Sequence, residues 1–410
     1  MRHLILVASA TLALLLGAGA TPATAACDPA TRAVQYMHSV QMSDGSIDGN
    51  INETADYVLG AATDGVDPGT LTGPTGKSPF DYFLVDLAGS QASLADANVL
   101  GKLIQAVVAG HRDPHNFGGL NLIDRLRNGS TPGGSPTPYY NPATGVFLDA
   151  LSAGQNQTFA QANAILGLVA GDLSFTVPVK AITELESLQS TSGVTKGGWS
   201  SFGTFDTNDT AIALMALAAT GHTATTDGAI FSTAFTYLLT QQDPASGGFT
   251  FSTDFGTASD PDSDSFVIQA LLASGQDPAG STWTNAKGNA PSDILTFQDP
   301  ASGGFVFATG GKLQAFATTQ TVVGLRHTFL PVTGSYASGA TVPAAGCPVA
   351  TAVVQLAPAP APKLPAAGRP STVANSRPDP ETIAIQAALL LAVALLLVIG
   401  AGGYARQRRR

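Results

Sequence analysis

The sequence predicts an all-α fold, an (α/α)6 toroid of six helical hairpins, followed by a Pro/Ala stalk and one transmembrane helix. Three observations predict it. The segment Gln242-Asp243-Pro244-Ala245-Ser246-Gly247-Gly248-Phe249 recurs unchanged as Gln298-Asp299-Pro300-Ala301-Ser302-Gly303-Gly304-Phe305. Turns of this kind, the looser copy ending at Trp199 included, are followed by a small-residue apolar segment that opens on a polar residue and closes at glycine, most clearly Asp209-Thr210-Ala211-Ile212 ending at Gly221 and Asp264-Ser265-Phe266-Val267 ending at Gly275. Near the end of the chain, 383–403 carries no charge and is followed by Arg406, Arg408, Arg409 and Arg410.

Taken from the start, Arg2 and His3, the apolar run 4–16 and Ala23-Thr24-Ala25 have the charged start, short apolar core and small-residue site of a secretory signal, expected over 1–26. The run is too short to span a bilayer, which takes about 20 residues. Cys27 and Cys347 flank the expected folded region, and outside the cell they are expected to pair. Such a bond needs Cα atoms within about 7 Å, which favours a closed ring over an open solenoid. The alternative use of Cys27 is lipidation, since Ala25-Ala26-Cys27 is similar to the end of a lipobox, with Thr24 where that motif has leucine.

The toroid is expected over 27–335. Looser copies of the turn run from Gln189 to Trp199 and from Gln41 to Ile47, and Trp199, Phe249 and Phe305 lie 50 and 56 residues apart. Further inner helices are expected to begin at Asp56, Asn163 and Gln320, with a sixth near Asp96. Between them run amphipathic outer helices such as 229–241, where Ile230, Ala234 and Leu238 share a face. The stretch 110–144, rich in Gly, Pro and Asn and holding His111, His115, Tyr139 and Tyr140, interrupts the rhythm and has the look of a functional loop. The stalk is expected over 336–381, the membrane helix over 382–404 and a basic cytoplasmic tail over 405–410, placing the N-terminal domain outside the cell. Within the stalk, Leu364-Pro365-Ala366-Ala367-Gly368 resembles a sortase signal with Ala367 in place of threonine.

The chain has 19 basic and 29 acidic residues; leaving out Arg2 and the four tail arginines, 14 basic face 29 acidic, a net of −15. Nucleic acid is a poor partner for that surface, and the only membrane partner expected is the chain's own helix.

The repeated Gln-x-x-x-x-Gly-Gly-aromatic turns and the Asp-Thr-Ala helices resemble the terpenoid cyclase/protein prenyltransferase α-α toroid superfamily, over roughly residues 30 to 330. Asn208-Asp209-Thr210-Ala211 and Asp264-Ser265 are most similar to the helical domain of cobalamin carriers related to transcobalamin and intrinsic factor. The resemblance implies a helical ring with a ligand pocket, with a corrinoid or an isoprenoid among the ligands. Class II cyclases use the middle acid of Asp-x-Asp-Asp; here Asp206-Thr207-Asn208-Asp209 has an amide at that place, and Asp262-Ser263-Asp264-Ser265 lacks the last acid. The prenyltransferase zinc site and the thioester Cys-Gly-Glu-Gln of complement-type toroids are absent, there being no cysteine between Cys27 and Cys347. The β-rich second domain of cobalamin carriers has no counterpart before the stalk.

The expected function is therefore a cell-surface, non-catalytic module that binds a small molecule or a surface glycan at one mouth of the ring. The alternative is an enzyme on an (α/α)6 barrel, terpene cyclase-like or carbohydrate-active. Candidate ligand-binding residues are Asp56, Asn163, Asp209, Asp264 and Gln320, expected around one opening; the competing use of these residues is helix capping. Trp199, Phe249 and Phe305 are expected as wedges between hairpins. No catalytic residue, cofactor or metal is assigned. The run 260–264 resembles half of a calcium loop but has Ser265 and Leu271 where an EF-hand needs Gly and Glu, and His111 with His115 lacks a third ligand.

Overall fold

The structure, a computed structural model, describes residues 28–89, 96–129, 139–149, 154–172 and 177–344. The expected signal, Cys27, Cys347, the sortase-like segment, the membrane helix and the basic tail lie outside these residues. No described helix is long and apolar enough to cross a membrane.

Twelve α-helices among the described residues alternate between an outer and an inner layer. The outer ones are α1 (Pro29–Val40), α3 (Pro79–Ala88), α5 (Leu122–Asn128), α7 (Val179–Ser187), α9 (Gly228–Thr240) and α11 (Ala290–Asp293), the last continued by a 3-10 turn, Ile294–Phe297. The inner ones are α2 (Ile51–Thr63), α4 (Ala97–Ala109), α6 (Gln157–Gly171), α8 (Thr207–Ala219), α10 (Pro261–Ala273) and α12 (Ala315–Leu325). Each inner helix packs on the next, and α12 packs back on α2, so the ring closes. Being walled on both sides, the inner helices are apolar nearly all round. The two layers explain the composition: Ala211, Ala213 and Ala216 are fully buried in α8, where small side chains let neighbours approach.

The repeated turn joins one hairpin to the next. Gln242 donates its amide to the Gly247 carbonyl of its own turn and to the Trp283 carbonyl ahead of α11, each at 2.9 Å. Gln189 does the same with Gly197 and Ile230, at 3.0 Å each. Gln298 reaches Gly303 and, across the closure, the Pro29 carbonyl of α1, both at 2.8 Å. The sequence thus uses one device both to stack the units and to shut the ring. The first glycine of the pair sits where its left-handed backbone meets the next outer helix; a Cβ on Gly303 would lie 2.6 Å from the Arg32 carbonyl oxygen.

Trp199, Phe249 and Phe305 are fully buried. Their backbone N–H groups donate to the fourth residue of the following inner helix: Trp199 to Thr210 Oγ1 at 3.1 Å, Phe249 to Asp264 Oδ1 at 2.7 Å, Phe305 to Thr318 Oγ1 at 2.9 Å. Ile47 follows the same rule with Thr54, while Phe147 donates to Gln161, the fifth residue of α6. A buried amide is satisfied in each case by a polar side chain placed about one turn into the helix.

Closure is reinforced by Arg326 at the end of α12. Its guanidinium pairs with Asp28 at 2.9 Å, with the buried Asp64 at the end of α2, and with Thr31 of α1 at 2.9 Å.

Four expectations need correction. The fold is not purely helical: two antiparallel ribbons, β1 (Trp199–Ser201) with β2 (Thr204–Asp206) and β3 (Phe305–Val306) with β4 (Leu313–Gln314), lead from the turns into α8 and α12. The first ribbon turns on Phe202 and Gly203, both with positive φ. The inner helices other than α4 begin about two to six residues earlier than expected, several of them with polar first turns. The stretch 110–144 does not break the rhythm, since it supplies the outer helix α5; that helix is only seven residues long and its Gly- and Pro-rich flanks hide it. Residues 336–344, assigned by composition to the stalk, pack on the ring: Tyr336 stacks on His111 with ring centroids 4.3 Å apart, and the Ala340 and Pro343 carbonyls accept from Asp67 and Gln35, each at 2.8 Å.

Candidate binding mouth of the ring

The lumen is lined in tiers one helical turn apart. Asp56, Lys102, Ile212, Phe266 and Gln320 form a middle tier, with Leu59, Gln269 and Val323 beneath it and Leu330 below. Side chains four residues earlier lie on the same helix faces one turn nearer the N-termini. This places Asn52, Asn98, Asn208, Asp262 and Phe316 around the opening where the inner helices start. The lumen beneath is filled. Phe159 of α6 meets Phe266 of α10 edge-to-face across it, with centroids 6.1 Å apart, and the space remaining is about 20 Å³, room for about one water. A second hollow of about 140 Å³ lies between α1 and α11, lined by Pro29, Ile268, Ile294 and Leu325; it is smaller than ordinary small-molecule sites, which run to about 300 Å³ or more.

The five candidate residues divide into two groups. Asp56, Asn163 and Gln320 belong to the ring's inner surface. Asp56 pairs with Lys102 at 3.0 Å, and Gln320 also hydrogen-bonds it. Asn163 is fully buried, donating to Asn98 at 2.7 Å and accepting from Gln105 at 3.2 Å. Asp209 and Asp264 do not face the lumen. Asp209 accepts from Ser201 Oγ at 2.6 Å, and Asp264 holds the Phe249 amide as Thr210 and Thr318 hold theirs. None of the five caps its helix by its side chain: the caps are Asn50, Asp96, Asp206 and Asp260, while α6 and α12 have no side-chain cap. The half calcium loop at 260–264 is the capped start of α10, and His111 is engaged with Gly334 and Tyr336.

Neither Glu53 nor Lys102 is among the residues expected from sequence, and Asn208 and Asp262 entered only as parts of incomplete Asp-x-Asp-Asp motifs. At the opening, Asn52 Oδ1, Glu53 Oε2, Asn208 Oδ1 and both carboxyl oxygens of Asp262 are buried atoms with no hydrogen-bond partner. Asp262 is only 1% exposed. The result is a set of acceptors lacking donors. Around it stand exposed phenylalanines on the segments that enter the inner helices: Phe202 (60% exposed), Phe255 (48%), Phe307 and Phe316.

Burial dominates the titration of this end. It pushes Asp262 well above the ordinary carboxylate range, helped by the nearby Asp260 and Asp56 charges. Glu53 is raised to about 7 by burial and then by Asp48 and Asp56, and Asp260 to about 6 by burial. Burial, with Asp209 beside it, raises Asp206; burial, with Asp293 beside it, raises Asp264. Burial also raises Asp56, with the Lys102 ammonium pulling the other way. A carboxyl whose pKa is raised by folding binds its proton more tightly in the folded state. Its stabilising effect is complete below the unfolded value, near 4, and is lost as pH rises through the folded value. Glu53 and Asp260 set that window between about pH 4 and 7. The melting temperature should therefore rise by roughly 5 °C or more on going from pH 8 to pH 4.5. A thermal scan series checks this, and a maximum at pH 7–8 would count against it.

No family model matches the chain, and no curated protein matches it. Among solved structures, the chain is similar to the type II terpene cyclase MstE from Scytonema in its apo form, at 14% identity over 75% of this chain and 98% of that one, with a TM-score of 0.48. It is also similar to Candida albicans protein geranylgeranyltransferase-I complexed with GGPP, at 13% identity over 76% of this chain and 90% of that one, with a TM-score of 0.41. The toroid itself is established by the closed helix contacts described above.

Proposed function

We propose that the chain is a surface-displayed, non-catalytic module that binds a glycan at the mouth of its helical ring. The observation that carries this is the pairing of unpartnered buried acceptors at Asn52, Glu53, Asn208 and Asp262 with exposed rings at Phe202, Phe255, Phe307 and Phe316. A sugar offers hydroxyl donors to the first set and an apolar C–H face to the second, the mixture of a few placed polar groups and aromatic surface that ligand sites use. A corrinoid or isoprenoid inside the ring, which the family resemblance implies, would need far more room than the hollow of about 20 Å³ that Asp56, Lys102, Phe266 and Gln320 line. In the same reading the domain is exported by 1–26, tied by a Cys27–Cys347 bond and held at the membrane by 382–404, with sortase attachment as the other route. The hydrogen bond from Gln35 to the Pro343 carbonyl supports the bond, bringing together positions near each cysteine in sequence.

Calorimetry on the full-length protein with a panel of surface oligosaccharides tests the assignment. Asn208→Ala and Phe316→Ala should each weaken binding about 5- to 30-fold, at about 1–2 kcal/mol per lost contact. Wild-type protein that binds none of the panel, or variants that bind as well as wild type, would refute it.

A second reading is favoured by Asp262 alone. A carboxyl whose pKa burial raises well above the ordinary range, with Asp260 and Asp56 near it, is suited to hold and donate a proton, and carbohydrate-active enzymes pair such an acid with a carboxylate. Release of reducing ends from the bound glycan, abolished by Asp262→Asn, would establish that reading in place of simple binding.

A further inference from the structure

We propose that Glu186, His222 and Asp227, on the outside of the ring, form a binding site for a divalent transition-metal ion, with Zn²⁺ the ion their donors suit best. Glu186 lies near the end of α7, His222 in the loop after α8, and Asp227 immediately before α9. One ligand atom from each lies within 4.8 Å of the other two. His222 Nδ1 is 3.0 Å from Asp227 Oδ2 and 3.7 Å from Glu186 Oε1. Two ligands of a tetrahedral zinc ion bound at ~2.0–2.2 Å stand about 3.4 Å apart, so these separations bracket what an ion would require.

Two further observations point to a ligand. The Nδ1 atom is closed off from solvent and has no partner in hydrogen-bond geometry, although Asp227 is near it. Asp227 occupies the N-cap position of α9, yet its carboxylate caps nothing. An aspartate there ordinarily gains about 1 kcal/mol by accepting from the first turn. Instead it turns to His222, where Thr226 Oγ1 donates to Oδ2 at 2.6 Å and fixes its orientation. Carboxylates held by hydrogen bonds of this kind are the usual outer support of a metal ligand. The three side chains are 22–29% exposed, which leaves one side open for a water or an external donor as fourth ligand. The set shares no residue with the mouth acceptors, and His222 lies past the opposite end of α8 from Asn208, so it stands independently of the glycan reading.

The test is zinc titration of chelator-stripped full-length protein, read by calorimetry and by the visible absorption of Co²⁺ as a substitute ion. One ion per chain should bind, with a Co²⁺ spectrum showing nitrogen and oxygen donors. His222→Gln should lower affinity by roughly 100-fold, and Thr226→Val by roughly 10-fold. Asp227→Asn, whose side chain is not needed to cap α9, should also weaken binding while the melting curve without metal stays near wild type. Failure of the wild-type protein to take up zinc, or equal uptake by His222→Gln and Asp227→Asn, would overturn the proposal and leave a charged surface cluster.

Discussion

Lys102→Met should destabilise the protein by about 3–5 kcal/mol at pH 7.5, because it leaves Asp56 buried without its counter-charge. The two side chains are 9% and 11% exposed, so water cannot replace the lost ammonium. Asp56 can escape the penalty only by taking up a proton, and burial already pushes it in that direction. The loss should therefore shrink at pH 5. Adding Asp56→Leu should recover most of the stability, since an apolar pair of similar volume replaces a pair of charges that was costly to bury. Denaturant melts of the single and double variants at the two pH values measure this. A single variant as stable as wild type at pH 7.5 would mean that the pair does not hold the lumen together.

The second large effect is expected at Gly197. Its φ is +93°, and a Cβ would lie 2.0 Å from the Thr233 carbonyl oxygen of α9. Gly197→Ala thus combines a left-handed backbone, costing about 1–2 kcal/mol for a residue with a Cβ, with forced separation of the turn from the next outer helix. About 3–5 kcal/mol should be lost, and the Gln189 amide bonds to Gly197 and Ile230 with it. By contrast Gly203→Asn, at a positive-φ position with nothing within 4 Å, should cost less than about 1 kcal/mol. Equal losses at the two sites would show that contact between units is not what the repeated glycine serves.

Much of this architecture was legible because the repeat writes its physics in residue identities. Gln242 and Gln298, the glycines after them and the aromatic positions are each fixed by a contact to the neighbouring unit, so they recur. Helix ends were less legible. The first turns of the inner helices, such as Thr207-Asn208 and Pro261-Asp262-Ser263, face the mouth and are polar, so the apolar runs begin a turn late and draw the eye to Asp209 and Asp264. Asp264 serves its turn as threonine does in other units, and Asp209 holds Ser201 of the ribbon. The partner of Asp264, Asp293, lies 29 residues away, beyond any local pattern. Lys102 did leave a signal, as the only charge in the apolar run 97–109, at the helix position of Asp56 and Gln320. Asn163 and Gln320 stand out in the sequence because polar residues in an apolar helix need partners, but they lie below the opening at which they were expected.

A ligand site at the end of the ring where the inner helices begin should show itself in hydrogen–deuterium exchange of the full-length protein, with and without a bound oligosaccharide. Exchange should slow in the first turns of α2, α8 and α10 and in the segments carrying Phe202, Phe255 and Phe307. Protection confined instead to the hollow between α1 and α11, or none at the mouth while the ligand is bound, would contradict it.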